Sequence, residues 1–388
     1  MKKLRFAVLV LMLLLQSCSS KYLEQKKQRE IPEKNQEVIR IDADVDKKYQ
    51  YLETVKKPVK LEVANSPSVA SWAVDRGKLE KLPTVQDNMQ AFDVDLRGND
   101  ISHLKIGKDL LNDLKWASFS TTTKWPQSLP KEFNPAKVLE EGKNPGLKVR
   151  TLHERGITGD GIGIAIIDQN LLVGHEEYKD QLKFYEEIHT SYPEASMHGP
   201  AVASIAVGKT VGVAHEADLY YIAEFHGEMI NDKLENDFTW LAISIDRILE
   251  VNKTLPNDRK IRVISISVGW SPQNKGFYET EAAVNRAKEQ GVFVVSSTLE
   301  ETYGFQFHGL GRTWNSDYDD PATYLPGSWW SDSFYENEYS NYGSMLMVPM
   351  DGRTTADPSG NEGYVYYSKG GWSWSIPYIA GLYALHVK

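Results

Sequence analysis

The chain has a single cysteine, Cys18, among its 388 residues. No internal disulfide can brace the folded body, which must hold by packing alone even in an oxidising compartment. A surplus of positive charge is also missing. Against 53 Asp and Glu stand 44 Lys and Arg, a net charge of −9 that disfavours a nucleic-acid partner. No repeat of fixed period is present, and beyond the opening residues no run is long and apolar enough to span a bilayer. What is there is a chain with 41% hydrophobic residues. It is long enough for one large domain with appendages or for two ordinary ones.

The opening, MKKLRFAVLVLMLLLQSCSS, sets basic residues before a short apolar run and small or polar residues around Cys18. The run is short for a transmembrane helix and reads as a signal peptide over residues 1–18. Leu15-Gln16-Ser17-Cys18 resembles the bacterial lipobox, whose cysteine is lipidated and becomes the mature N-terminus. That resemblance implies a body held by lipid at the extracytoplasmic side of a bacterial membrane. Residues 19–60 are rich in Lys, Glu and Gln with little apolar periodicity, the composition of a charged tether. Residues 61–145 carry short apolar patches, AFDVDLRG and HLKIGKDLLNDLKWASF, among prolines and charges. They read either as an N-terminal extension wrapped on the main domain or as a propeptide that is removed.

From residue 146 to 388 the pattern becomes one of strands alternating with helices. Ile162–Ile167, Leu219–Ala223, Ile261–Val268 and Val292–Ser296 are short β-branched runs, as in strands buried on both faces. Phe238, Leu241, Ile245, Ile248 and Leu249 fall at helical spacing, as do Ala283, Val284 and Ala287 before Gly291. This alternation predicts an α/β fold, a mostly parallel β-sheet flanked by helices. Functional groups then gather at the carboxyl ends of the strands.

Three reactive side chains stand at such places. Asp168 closes the first strand of GITGDGIGIAIID, His198 opens the small-residue run HGPAVASIAVG, and Ser373 opens WSWSIPYIAGLYAL. A serine hydroxyl is inert at neutral pH unless a base takes its proton. The base works best when a carboxylate orients it and stabilises its cation. Singly, each has a plain structural reading: a helix N-cap for the serine, a turn for His-Gly, a loop cap for the acid.

In their order and contexts these motifs resemble the subtilisin-like serine peptidases, the subtilases. GITGDGIGIAIID looks like the strand leading to the catalytic aspartate, and His175 fits the histidine that usually follows it. HGPAVASIAVG resembles the histidine motif, with Pro200 and Ala201 where the family has threonine and histidine. GVAHEADLYYIA, from Gly212, looks like the next segment and strand. Ile264-Ser265-Ile266-Ser267-Val268-Gly269 resembles the edge along which substrate lies, and GGWSWSIPYIAG the serine motif, with Trp372 for threonine and Pro377 as the helix proline. The resemblance implies a subtilisin-like three-layer fold and peptide hydrolysis through an acyl-enzyme. Ser373 is then the nucleophile, His198 the base and Asp168 its orienting acid, with Ser267 and Gly269 offering backbone groups to an extended substrate.

One departure bears on the chemistry. The family's oxyanion asparagine follows a strand matched here by GVFVVSSTLEETYG, and gapless pairing sets Glu300 opposite it. An ionised carboxylate would oppose the oxyanion by about 4 kcal/mol at 4 Å and an effective dielectric near 20. Losing the donor alone costs about 2.7–4 kcal/mol in a subtilisin. Glu300 can donate when protonated, a form that burial favours; alternatively Ser297, Thr298 or a backbone N–H supplies the bond. Some family members use an acidic residue here. Peptides or proteins are the implied partners, on a monomer without cofactor. Asp317-Tyr318-Asp319-Asp320 is a weak calcium candidate, since it lacks an alternating oxygen-ligand loop. The rival readings are a pseudopeptidase that binds without cleaving, or an envelope-binding module on the same fold.

Overall fold

The computed structural model describes residues 53–86, 92–190, 192–230, 233–336 and 345–388. The signal segment, Cys18 and the tether up to residue 52 lie outside them. The N-terminal region contributes strands β1 (Val94–Asp95) and β2 (Ala117–Ser120) and helix α1 (Pro135–Gly142). The remainder alternates. β3 (Gly163–Asp168) and β4 (Leu182–His189) precede helix α2 (His198–Val207), then β5 (Asp218–Glu224), α3 (Thr239–Thr254) and β6 (Ile261–Ile266). After these come α4 (Phe277–Glu289), β7 (Phe293–Ser296), the short helix α5 (Leu299–Tyr303), β8 (Phe307–Gly311) and β9 (Leu346–Pro349). β10 (Arg353–Ala356), β11 (Tyr364–Tyr367) and α6 (Trp372–Val387) follow, with shorter elements between.

The central sheet runs β7-β6-β3-β5-β4, every neighbouring pair parallel. β3 lies in the middle and buries all six of its residues. Successive side chains of a strand face opposite ways. Ile164 and Ile166 accordingly join a core with Ala201, Val202, Ile205, Ile376 and Ile379 of α2 and α6. Ala165 and Ile167 join another with Leu241, Ile245, Ala283 and Val284 of α3 and α4. Helices thus cover both faces of the sheet, the three-layer α/β arrangement expected from the alternation.

The four expected strands are present to within a few residues. β4 was not expected, because LKFYEEIH mixes three charged residues with its apolar ones. It tolerates them as the last strand of the sheet, where an N-terminal segment lies beside it. Tyr185 N–H donates to Glu62 O, and Ala64 N–H donates to Tyr185 O. The charged stretch read as a tether to Lys60 meets the body earlier than its composition suggests. Val55 is buried against Trp240 and Ile243, and Lys57 pairs at 3.1 Å with Glu186, which also holds the buried Arg247 at 2.9 Å.

The rest of the N-terminal region has its own core, in which Leu82, Leu96, Ile101, Phe119 and Phe133 pack with Tyr366. It is tied to the alternating part through a four-stranded sheet of order β10-β11-β2-β1. In that sheet β11 and β2 are antiparallel, with Val365 opposite Ser120 and Tyr366 opposite Phe119. Among the described residues no helix is long and apolar enough to cross a membrane.

Candidate active site

Parallel strands deliver their carboxyl ends to one side of the sheet, and the predicted residues collect there. Asp168 is the last residue of β3 and is nearly buried, 9% exposed. Its Oδ1 lies 2.7 Å from Nδ1 of His198 and also accepts Gln169 N–H at 2.8 Å. A carboxylate can only accept, so His198 carries its proton on Nδ1 and leaves Nε2 as the basic nitrogen. α2 begins at this histidine for local reasons. Ser196 Oγ accepts Gly199 N–H at 2.9 Å, and Pro200 falls in the first turn, where a missing N–H does no harm. Gly199 is required by close approach: a Cβ there would sit 2.5 Å from Gln169 O and 2.7 Å from Asn170 O. Without a side chain at 199, α2 abuts the loop that follows Asp168.

Ser373 is the second residue of α6, whose cap Gly371 is extended. N–H groups in a first turn have no partner within the helix and sit at its positive end. Pro377 lies one turn later and has no N–H to bond the Ser373 carbonyl. That carbonyl instead accepts Ser267 Oγ at 3.1 Å, and Ser373 Oγ donates to Ser267 O at 3.3 Å. Ser267 is the residue just past β6, so the pair ties the serine helix to the sheet. The flanking indoles point to different neighbours. Trp374 meets the His198 ring edge-on, with centroids 5.3 Å apart, and Tyr367 likewise at 5.2 Å. Trp372 meets Phe307 at 6.0 Å and His308 at 5.8 Å.

Beside this pair runs the segment after β7. Ser297 N–H donates to Val268 O at 3.2 Å, and a Cβ on Gly269 would lie 3.1 Å from Ser297 Cβ. Thr298 Oγ1 is engaged with Ser296 Oγ at 2.8 Å. Glu300 stands half-buried in the first turn of α5. His175 is fully buried, with Nε2 2.8 Å from Gly363 O and Nδ1 accepting Glu177 N–H. Burial pushes its pKa down, so it stays neutral as a structural tie. The acidic run has local duties as well: Asp319 accepts Lys148 N–H at 2.8 Å and Asn144 at 3.0 Å, and Asp320 caps Ala322. Among the described residues no group of three or more His, Cys, Asp and Glu is arranged to hold a metal ion.

The residue pattern gave no warning of Asp351. Its buried carboxylate accepts Gly370 N–H at 2.7 Å and Ser328 N–H at 2.8 Å, fixing the chain three residues before Ser373. Burial pushes its pKa up to about 6 against the pull of those two bonds. Met197, the chain neighbour of His198, and Tyr367, which packs on Trp374, were likewise unmarked, since both meet Arg97 from far off in sequence.

A parallel sheet with an acid–imidazole pair at its carboxyl side and a serine at the mouth of a buried helix is the architecture of the subtilisin-like serine peptidases. The chain belongs to the subtilase family: the model of that family matches residues 159–385, more than half of its length. Alkaline protease 1 of Aspergillus flavus is 26% identical over 226 residues, covering 58% of this chain and 51% of the relative. Subtilisin E of Bacillus subtilis is 24% identical over 246 residues, covering 62% of this chain and 58% of the relative. The chain thus spans about half the length of the curated relatives it matches. The crystal structure of a cold adapted subtilisin-like serine proteinase aligns with a TM-score of 0.38 at 16% identity, covering 59% of this chain and 76% of that one.

Proposed function

We propose that this protein is a serine endopeptidase that cuts peptide bonds through Ser373, His198 and Asp168, held by lipid on Cys18 at the extracytoplasmic side of a bacterial membrane. The observation that carries the reading is the 2.7 Å Asp168–His198 bond, with the Ser373 helix packed on the same imidazole through Trp374. Asp168 holds the ring so that Nε2 can take the serine proton. Ser373 Oγ, now donating to Ser267 O, must turn toward the imidazole to give up its proton, exchanging one hydrogen bond for another. The same rotation releases the Ser267 carbonyl, which with the backbone at Gly269 offers pairing groups to an extended peptide. Hydroxyl attack on the scissile carbonyl gives a tetrahedral oxyanion; His198 then passes the proton to the leaving amine, and water clears the acyl-enzyme by the reverse sequence. The Ser373 N–H, at the positive end of α6, faces the oxyanion. Glu300 forms the opposite wall, donating when protonated and opposing the charge when ionised.

The test is a fluorophosphonate probe on the full chain in detergent. Labelling of the wild type that disappears in Ser373→Ala and His198→Ala supports the peptidase. A folded wild type that stays unlabelled sinks it and leaves a peptide-binding relative with the same fold. The anchor is tested separately: Cys18→Ser moves the protein from the membrane fraction to the soluble one.

A further inference from the structure

The imidazole is braced from a direction that no sequence motif indicates. Arg97, just past β1, is held by Asp95 through two parallel bonds, Nε to Oδ1 at 2.8 Å and Nη2 to Oδ2 at 2.9 Å. Its remaining nitrogen, Nη1, lies 2.9 Å from Sδ of Met197 and 3.3 Å from the hydroxyl of Tyr367. The guanidinium also lies over the Phe92 ring at 4.5 Å. Both outer contacts lead to His198. Met197 is its neighbour in the chain, and Tyr367 meets Trp374 edge-on at 5.2 Å, which in turn meets His198 at 5.3 Å.

The bond to Asp168 fixes one ring nitrogen but leaves the imidazole free to swing about it. A backbone set at Met197 and an indole edge set at Trp374 remove that freedom. We propose that Arg97 is a positioning residue for His198, and that the N-terminal region from Phe92 to Ser120 is a permanent part of the peptidase, kept on maturation.

The ion pair suits a fixed strut. Asp95, though buried, is held down at about 2 by Arg97 and Arg76, and Arg97 is held upward by Asp95. Neither partner changes charge where the protein is folded and active. Removal of the region would also strip β11 of one of its two partner strands and expose Tyr366, which packs on Phe119. It would further break the bonds of Ser368 to Ser118 and to Trp116 O, five residues before Ser373.

The proposal rests on the peptidase reading, and its test separates the two. On the full chain, kcat and KM for a short peptide are measured together with the downfield proton resonance of the His198–Asp168 bond. Arg97→Lys keeps the charge on Asp95 but cannot chelate it and reach Met197 at once. Phe92→Leu removes the ring beneath the guanidinium and leaves the ion pair intact, so folding is preserved. Both are expected to lower kcat, Arg97→Lys by about ten- to a hundredfold, with KM little changed and the resonance shifted or broadened. Wild-type kcat and an unshifted resonance in both variants would overturn the proposal. So would an active mature protein whose N-terminus, by mass spectrometry, lies beyond Ser120. The resonance reads the brace even if the wild type fails to take up the fluorophosphonate.

Discussion

Ser373 and Ser267 are bonded to each other in both directions, hydroxyl to carbonyl at 3.3 Å and 3.1 Å. Pro377 makes this possible by leaving the Ser373 carbonyl without its helical donor. Ser267→Ala strands that carbonyl. We expect a loss of about 1–2 kcal/mol in unfolding free energy and slower fluorophosphonate labelling of Ser373. Labelling at the wild-type rate would show that the hydroxyl of Ser267 does not hold the serine in place.

Gly199 has no room for a methyl group, with Gln169 O at 2.5 Å and Asn170 O and Tyr221 hydroxyl at 2.7 Å from a Cβ. Gly199→Ala must push α2 away from the loop after Asp168. The expected effects are about 1–3 kcal/mol of destabilisation and lengthening of the Asp168–His198 bond, seen as loss of its downfield proton. A variant with the wild-type melting temperature and an intact resonance would show that the loop yields instead.

In the proposed site, Glu300→Gln replaces a carboxylate with a permanent donor beside the oxyanion. One well-placed donor there is worth about 10²–10³ in kcat, so a rise of at least about tenfold in kcat is expected at neutral pH, with KM nearly unchanged. A fall in kcat would instead identify the protonated carboxyl of Glu300 as the better donor.

Asp351 couples the serine loop to pH. Its folded pKa of about 6 lies above the usual carboxylate value, so the folded state binds the proton more tightly than the unfolded chain. The contribution of the protonated form is full below the ordinary carboxylate range and is lost as pH rises toward about 6, after which it is flat. The limiting slope is about 1.4 kcal/mol per pH unit. The unfolding free energy of Asp351→Asn relative to wild type should therefore climb between pH 4 and pH 6 and level off above. Denaturant titrations across that window check it, and a difference independent of pH would remove Asp351 from the pH response.

How far the fold was legible depended on how local its causes were. β3, β5, β6 and β7 announce themselves because each is buried on both faces along most of its length and so reads as a mainly apolar run, broken in β6 by Arg262 and Ser265. Asp168, His198 and Ser373 were legible because each sits at an element boundary with small residues around it. β4 escaped because, as the outermost strand, it carries Lys183, Glu186 and Glu187. The brace at Arg97 escaped for another reason: its contacts reach Met197 and Tyr367, at separations of 100 and 270 residues, and no local pattern records such a meeting. Glu300 was placed opposite the family's asparagine by register alone.

The sheet formed by β2 and β11 sets an order of assembly. Ser120 is paired with Val365, 245 positions further on, so the N-terminal core cannot close until the chain through Tyr366 has left the ribosome. Closing so long a loop adds little to the equilibrium cost, since that cost grows only with the logarithm of length, but such distant pairings form late. Until β11 and the helix after it arrive, Phe119 lacks its strand partner, Arg97 lacks Tyr367, and the imidazole at 198 has no indole against it.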